Sequence, residues 1–378
     1  MKVTFPHLGN LYVPIKAMLD DLGADYVVPP FNNKSALELG TKYAPELACL
    51  PLKITIGNFI QAYEKGADTI IMTGGCGPCR FGYYYEMQRE ILHDIGYKMD
   101  MIALDIPMGN FREILAGIGK LAEGVKKLAG GWNINKILKA AVNTTIISSR
   151  IDDLERLSFK IRPREKNRGD TNEIMKEFRK KVFDTNGSSE VKKLIEDTGK
   201  KLLEIEIDSN YKPLRVGIVG EIYTTIDTGT SLNIQERLGD MGVEVCRPVT
   251  ISGWIIEHMI KGGLHLPRDL RFAEAAKPYL GAMIGGHAQE TVGNSVLFAN
   301  DGYDGIIQIY PLTCMPEIVA ESILPSVERD YGIPVLTLII DEMTGEAGYL
   351  TRVEAFVDLL EKRRESKAIE GTTVLSGN

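Results

Sequence analysis

The chain has 378 residues, enough for two or three domains, and a formal net charge of −7. Hydrophobic residues make up 44% and charged residues 25%, the mix of a soluble globular protein. The acidic balance argues against a broad nucleic-acid surface, and no apolar run reaches the roughly 18–20 residues that a membrane-spanning helix needs.

The first hundred residues alternate strand and helix patterns. Lys2–Phe5 reads as a short buried strand, with no signal-peptide core before it. Tyr12–Leu22 carries apolar positions at helical spacing, and Ala24–Val28 is a second strand ended by Pro29 and Pro30. Leu52–Lys65 is helical, Thr69–Met72 a continuous apolar strand, Phe81–Ile95 helical, and Met99–Leu104 a fourth strand. Short apolar strands between helices predict a parallel sheet covered on both faces.

The middle is helical. Phe111–Leu128 and Ile134–Arg162 read as long helices, Pro163–Thr171 as a polar break, and Asn172–Lys181 and Ser189–Glu204 as charged amphipathic helices. Their Lys/Arg/Glu mixture reads as a solvated face. From Leu214 the alternation returns: strands at Leu214–Val219, Gly242–Cys246, Gly305–Ile309 and Pro334–Ile340, and helices at Ser231–Met241, near Trp254–Ile260, and at Glu290–Asn300, Glu317–Tyr331 and Thr351–Arg363. The tail Glu370–Asn378 reads as frayed. The expected fold class is α/β, with two doubly wound parallel-sheet (Rossmann-like) domains. An N-terminal domain over 1–108 joins a C-terminal domain over 213–378 through a helical insert at 109–212.

Five cysteines, an odd number, argue against a disulfide framework and for a reducing, cytoplasmic compartment. Four of them stand on loops rich in Gly and Pro: Cys49 in Glu46-Leu-Ala-Cys-Leu-Pro51, Cys76 and Cys79 in Gly74-Gly-Cys-Gly-Pro-Cys-Arg80, and Cys314 in Pro311-Leu-Thr-Cys-Met-Pro-Glu317. Cys76, Cys79 and Cys314 fall between a strand and the following helix, at the carboxyl ends of strands where α/β sheets bind ligands. Cys49 falls just before a helix, whose free N–H groups and dipole favour a thiolate-bound anion. Loop thiolates in this number suit a soft metal centre, and one close pair with two distant singles fits a [4Fe-4S] cluster between domains. Zinc, a thioredoxin-like dithiol at Cys76 and Cys79, and buried unligated thiols are the alternatives. Cys246, in Val243-Glu-Val-Cys, reads as a packed strand thiol.

Secondary candidates follow from position. His7 and Asn10 follow the first strand, and His287 follows Gly285-Gly286 at a helix start, where it is a candidate proton donor. Arg80 and Lys53 are placed to offset cluster charge, with Glu317 and Glu46 as carboxylates able to pair with them. Gly74 and Gly75 make room for the cysteine loop, because no Walker lysine or G-x-G-x-x-G context accompanies them.

Pro45-Glu-Leu-Ala-Cys-Leu-Pro-Leu-Lys53, Gly74-Gly-Cys-Gly-Pro-Cys-Arg-Phe-Gly-Tyr-Tyr84 and Cys314-Met-Pro-Glu317 resemble a known group, as do His7-Leu-Gly-Asn10, Gly220-Glu-Ile-Tyr223 and Gly345-Glu-Ala-Gly348. The group is the acyl-CoA dehydratase activase-related proteins (CoA protein activases) of the 2-hydroxyacyl-CoA dehydratase D-component and benzoyl-CoA reductase superfamily. The resemblance implies α/β domains around a [4Fe-4S] cluster in an anaerobic setting. It also implies a partner, an ATP-hydrolysing reductive activase of actin/Hsp70 fold that delivers low-potential electrons. The superfamily's enzymes use three cysteine ligands and leave one iron open to an acyl-CoA substrate. This chain departs from that pattern by offering four cysteines. The expected function is therefore to accept low-potential electrons and pass them on. A catalytic 2-hydroxyacyl-CoA dehydratase or acyl-CoA reductase and a zinc-stabilised scaffold are the alternatives. A second copy of the chain or a related subunit is a further expected partner, with neither nucleic acid nor membrane.

Overall fold

The computed structural model describes residues 1–72, 74, 79–103, 119, 122–261, 266, 267 and 269–375. Among the described residues, seven strands form two separate sheets, all parallel. The first contains β1 (Val3–Thr4), β2 (Thr69–Met72) and β3 (Asp100–Ala103), in the order β1-β2-β3. The second contains β4 (Leu214–Gly220), β5 (Val243–Cys246), β6 (Gly305–Pro311) and β7 (Val335–Ile340), in the order β5-β4-β6-β7. No helix among the described residues is long and apolar enough to cross a membrane.

The expected strand Ala24–Val28 shrinks to a single parallel bridge, Val3 to Tyr26. Val27 N donates to Val3 O at 2.8 Å, but Pro29 and Pro30 follow and have no N–H with which to extend the ladder. That bridge still puts segment 24–28 on the side of β1 away from β2. Both sheets thus run outward in opposite directions from their first strand, to Tyr26 and β2 in one and to β5 and β6 in the other. In parallel sheets the crevice beside such a reversal, at the carboxyl ends of the strands, is where ligands bind.

The helices of the middle region pack onto the first sheet. Ile134–Ile161, Asp170–Val182 and Gly187–Leu203 contribute Ile147, Ile151, Phe178, Val191 and Leu202 to one apolar cluster with Val3, Phe5, Tyr12 and Leu19. The second core joins Val216, Ile218, Ile307, Ile309 and Leu338 to Val353 and Leu360 of the closing helix. It also takes in Leu50 and Phe159 from outside the second sheet. Of the expected helix Phe111–Leu128, residues 111–118 and 120–121 lie outside the described residues, and 122–128 are helical. The closing helix runs Glu346–Leu375, past the expected Thr351–Arg363 and into the expected tail. Its Glu, Lys, Arg and Ala residues are strong helix formers, which suits the extension.

A helix at Lys34–Tyr43 was not expected from periodicity, although Asn33 caps it by accepting from Ala36 N at 2.9 Å. It crosses the helix Leu50–Glu64 through glycines on both sides. A Cβ at Gly40 would stand 1.5 Å from Lys53 O, and one at Gly57 would stand 1.8 Å from Ala36 O. Backbone touches backbone here, which fixes where the Leu50–Glu64 helix begins and therefore where Cys49 sits.

Candidate functional site at the junction of the two sheets

The carboxyl ends of the two sheets face each other. Tyr223 OH donates to His7 O at 2.6 Å, Gly9 N to Asp227 Oδ2 at 3.0 Å, and Lys53 Nζ to Glu342 Oε1 at 2.6 Å. Every one of these bonds ties the first hundred residues to the part of the chain beyond residue 213.

Three cysteines meet at this junction, each just before a helix. Cys49 is the N-cap of Leu50–Glu64, with Pro51 in the first turn. Cys79 precedes the 3-10 turn Arg80–Tyr83 that leads into the helix Tyr84–Asp94. Cys314 is the N-cap of Met315–Tyr331, with Pro316 in the first turn. Proline is tolerated there because its missing N–H falls where the helix has no acceptor for one. The remaining free N–H groups and the positive helix ends all belong to loops that carry thiols. Cys76 lies outside the described residues. The four described cysteines are free thiols, and Cys246 sits apart at the end of β5, packed near Val219, Phe298 and Tyr303.

Arg80 holds the three loops together. It follows Cys79 directly, and its guanidinium donates to Leu47 O at 3.2 Å and to Thr313 O at 2.7 Å. Leu47 is two residues before Cys49, and Thr313 immediately precedes Cys314. Thr313 also donates from Oγ1 to Leu47 O at 3.2 Å. Its backbone is left-handed, with φ of +69°, a conformation that a β-branched residue rarely adopts. Such an outlier persists where surrounding contacts over-determine it. Here those contacts come from Arg80 and Leu47.

The thiols share a low-dielectric, negatively biased setting. Burial pushes the Cys49 thiol up to about 12, with Glu221 and Cys79 adding to the rise, while a 2.6 Å hydrogen bond with Tyr84 OH and the charge of Arg80 oppose it. Burial raises Cys79, as does Glu221, against a hydrogen bond from the backbone of Phe81 and the charge of Arg80. Cys314 is raised most, by burial and then by Glu221, Glu317 and Cys49. Left alone, these groups favour the neutral thiol, whereas a bound cationic centre inverts that preference.

Glu221 acts on all three thiols. It follows β4 directly after Gly220, whose φ of +132° and 1.9 Å approach of a Cβ to Ile309 O exclude a side chain. The Glu221 carboxylate accepts from Tyr223 N at 3.0 Å and Thr224 N at 2.9 Å. It keeps some surface at the junction but lies deep among protein atoms, and burial raises its pKa. Its charge also reaches His287, whose own pKa burial lowers, and Glu317. His287 stands at the start of the helix Ala288–Asn300, with Nε2 3.7 Å from Glu290 Oε2. Sequence reasoning named Glu221 only within Gly220-Glu-Ile-Tyr223 and gave it no role at the site. Its signal was a Gly-Glu pair at the end of a predicted strand.

The remaining candidates separate. Glu317 is fully buried, and both carboxylate oxygens accept from Thr291 Oγ1 at 3.0 Å while Oε2 also accepts from Gln308 Nε2 at 3.0 Å. Burial holds its pKa at about 8 against those bonds. Glu317 therefore does not pair with Arg80 or Lys53: Lys53 pairs with Glu342, and Glu46 is exposed. His7 and Asn10 lie away from the thiols. His7 Nε2 is 3.8 Å from Asp227 Oδ2, and Asn10 donates to Glu155 at 2.8 Å.

Among the described residues no group of three or more His, Cys, Asp or Glu side chains stands close enough to hold a single metal ion. No family model and no curated protein matches the sequence.

Proposed function

We propose that Cys49, Cys79 and Cys314, together with Cys76, hold a [4Fe-4S] cluster between two doubly wound, Rossmann-like halves, and that the protein carries low-potential electrons. One observation carries this reading: thiols from both halves of the chain, each before a helix, are drawn together by Arg80 and Thr313 and act on one another's charge. Their donor chemistry fits the group, since thiolate sulfur is what such clusters take. A cluster also spreads its ligands farther apart than one ion does, so looser spacing of the thiols suits it.

When bound, the cluster would supply one-electron storage. The chain's own residues do the rest. Arg80 fixes the three loops relative to one another, and helix N–H groups offset negative charge at the sulfurs. Burial of Cys314 and the apolar core at Leu50 keep water from the junction. The electron donor in this reading is an ATP-hydrolysing activase of actin/Hsp70 fold, a partner that rests on the sequence resemblance. A second reading, catalysis on an acyl-CoA thioester, is favoured by the acid–base groups Glu221 and His287 beside the thiols.

Anaerobic purification with iron and sulfide assays tests the proposal. The expected result is brown protein with about four irons and four sulfides per chain. Colourless protein with stoichiometric zinc overturns it. Reduction of the cluster by such an ATPase only during ATP hydrolysis is expected, and an activase that never reduces it removes the partner.

A further inference from the structure

A second polar site lies at the same junction, away from the thiols. A chamber of about 30 Å3 is lined by His7, Asn10, Glu155, Arg162, Gln235 and Arg247, with Phe31 and Arg179 at its rim. At roughly 10–15 Å3 per water-sized position it has room for two or three such positions. Arg162, His7, Gln235 and Arg247 are 1%, 2%, 2% and 5% exposed, and each leaves a polar atom without a partner: Nη1, Nδ1, Oε1 and Nε respectively. Four such atoms around one small space are unusual, because buried polar groups are almost always satisfied.

We propose that this chamber binds a small planar oxyanion that also carries an O–H, bicarbonate being the smallest of that class. The charges call for an anion. Arg247 is balanced by Glu155 at 2.7 Å, and Arg179 by Glu236 at 3.1 Å. Arg162 donates from Nε to the neutral Asn172 Oδ1 at 2.7 Å, and Glu236, Asp240 and Glu165 act on its charge only from beyond ion-pair distance, so that burial still lowers its pKa. A buried guanidinium that no carboxylate touches is unfavourable, and water does not supply the missing charge.

The hydrogen-bond pattern calls for a donor as well. Gln235 Nε2 donates to Thr225 O at 2.7 Å. A carbonyl only accepts, so the amide is fixed with its oxygen turned away from Thr225. Arg247 anchors to the same carbonyl at 3.2 Å through Nη1, leaving Nε free. The chamber therefore offers two guanidinium donors, an amide acceptor and His7 Nδ1, which donates or accepts according to the tautomer. An oxyanion with two acceptor oxygens and one hydroxyl matches that set, whereas formate and nitrate lack the hydroxyl. Phe31, at the rim, is 44% exposed.

The test uses the full chain, purified anaerobically, titrated at constant pH and ionic strength with sodium bicarbonate, formate, nitrate and chloride. Calorimetry and thermal melting are the readouts. Bicarbonate is expected to bind saturably and at least about tenfold more tightly than formate or nitrate, the range that one satisfied buried partner supplies. Gln235→Leu is expected to abolish that preference while formate still binds. Arg247→Lys is expected to weaken every anion, and it covers the case in which Arg162→Gln does not fold. Absence of saturable bicarbonate binding overturns the proposal, as does equal affinity for nitrate, undiminished binding in Arg247→Lys, or ordered water alone in crystals grown with bicarbonate.

Discussion

The thiol junction and the polar chamber occupy the same interface between the two sheets, yet they are built by opposite means. The thiol junction is held by main chain: helix N-termini, carbonyls gripped by Arg80, and glycines where backbones touch. The chamber is held by side-chain charge, with Arg247 and Asn10 both donating to Glu155 and Asp227 accepting from Gly9 N. A site built from main chain is stiff, and its chemistry comes from the few side chains it presents. A site built from buried charges is specific, but it is sensitive to the loss of any single partner.

The largest expected effect is on the proposed cluster. Cys314→Ser and Cys49→Ser should each remove most of the iron, measured per chain after anaerobic purification, while Cys246→Ser should retain it. Near-equal damage at Cys49, Cys76, Cys79 and Cys314 would mean a closed, electron-transfer site. A dispensable Cys76 or Cys79 would mean an open iron and move catalysis ahead.

Glu317 sharpens the comparison through pH. Its folded pKa of about 8 lies above its ordinary value of 4.5, so the native state holds a proton that the unfolded chain has released. The stabilisation is complete below 4.5 and is lost as pH rises towards about 8. Glu317→Gln keeps the neutral shape and should flatten that loss, giving a gain of a few kcal/mol at neutral pH by denaturant melts, on the order of about 1.4 kcal/mol per pKa unit. An unchanged pH slope would show that Glu317 is ionised in the fold.

Gly57→Ala attacks the main-chain scaffold. A methyl 1.8 Å from Ala36 O must part the two helices, for a cost of about 1–3 kcal/mol. The displaced start of the Leu50–Glu64 helix should also make the cluster more labile to chelators. If stability falls with no change in lability, helix position does not govern the thiols.

Arg80→Ala is the mildest test. Its side chain is exposed, so losing two hydrogen bonds should lower stability by only about 1 kcal/mol. Cluster loss in a chelator should nevertheless quicken, and Arg80→Lys should restore little, because one ammonium does not span two carbonyls as a guanidinium fork does. Equal lability in the wild type and both variants would reduce Arg80 to an ordinary surface residue.

Much of the architecture was legible in residue patterns. Continuous apolar runs such as Thr69–Met72 and Leu214–Val219 became buried parallel strands because both faces are covered. The helix Ile134–Ile161 followed its periodicity almost to the residue. Lys34–Tyr43 escaped because its burial rests on Ala36 and Gly40 rather than on large apolar residues. Arg80 was assigned to cluster charge, although its role in the fold is to grip two carbonyls. Backbone carbonyls are the same in every residue and leave no trace in a sequence.

Local chemistry determined the strands, most of the helices, and the presence of thiols on loops at their ends, because propensity, period and turn residues act over a few positions. Tertiary structure alone decided that Cys49, Cys79 and Cys314 meet around Glu221, and that His7, Arg162, Gln235 and Arg247 enclose one chamber. Each meeting includes residues more than two hundred positions apart, Cys49 with Cys314 and His7 with Arg247, and depends on how two sheets and a helical layer pack. That packing is set by the whole apolar surface being buried at once and not by any segment of it.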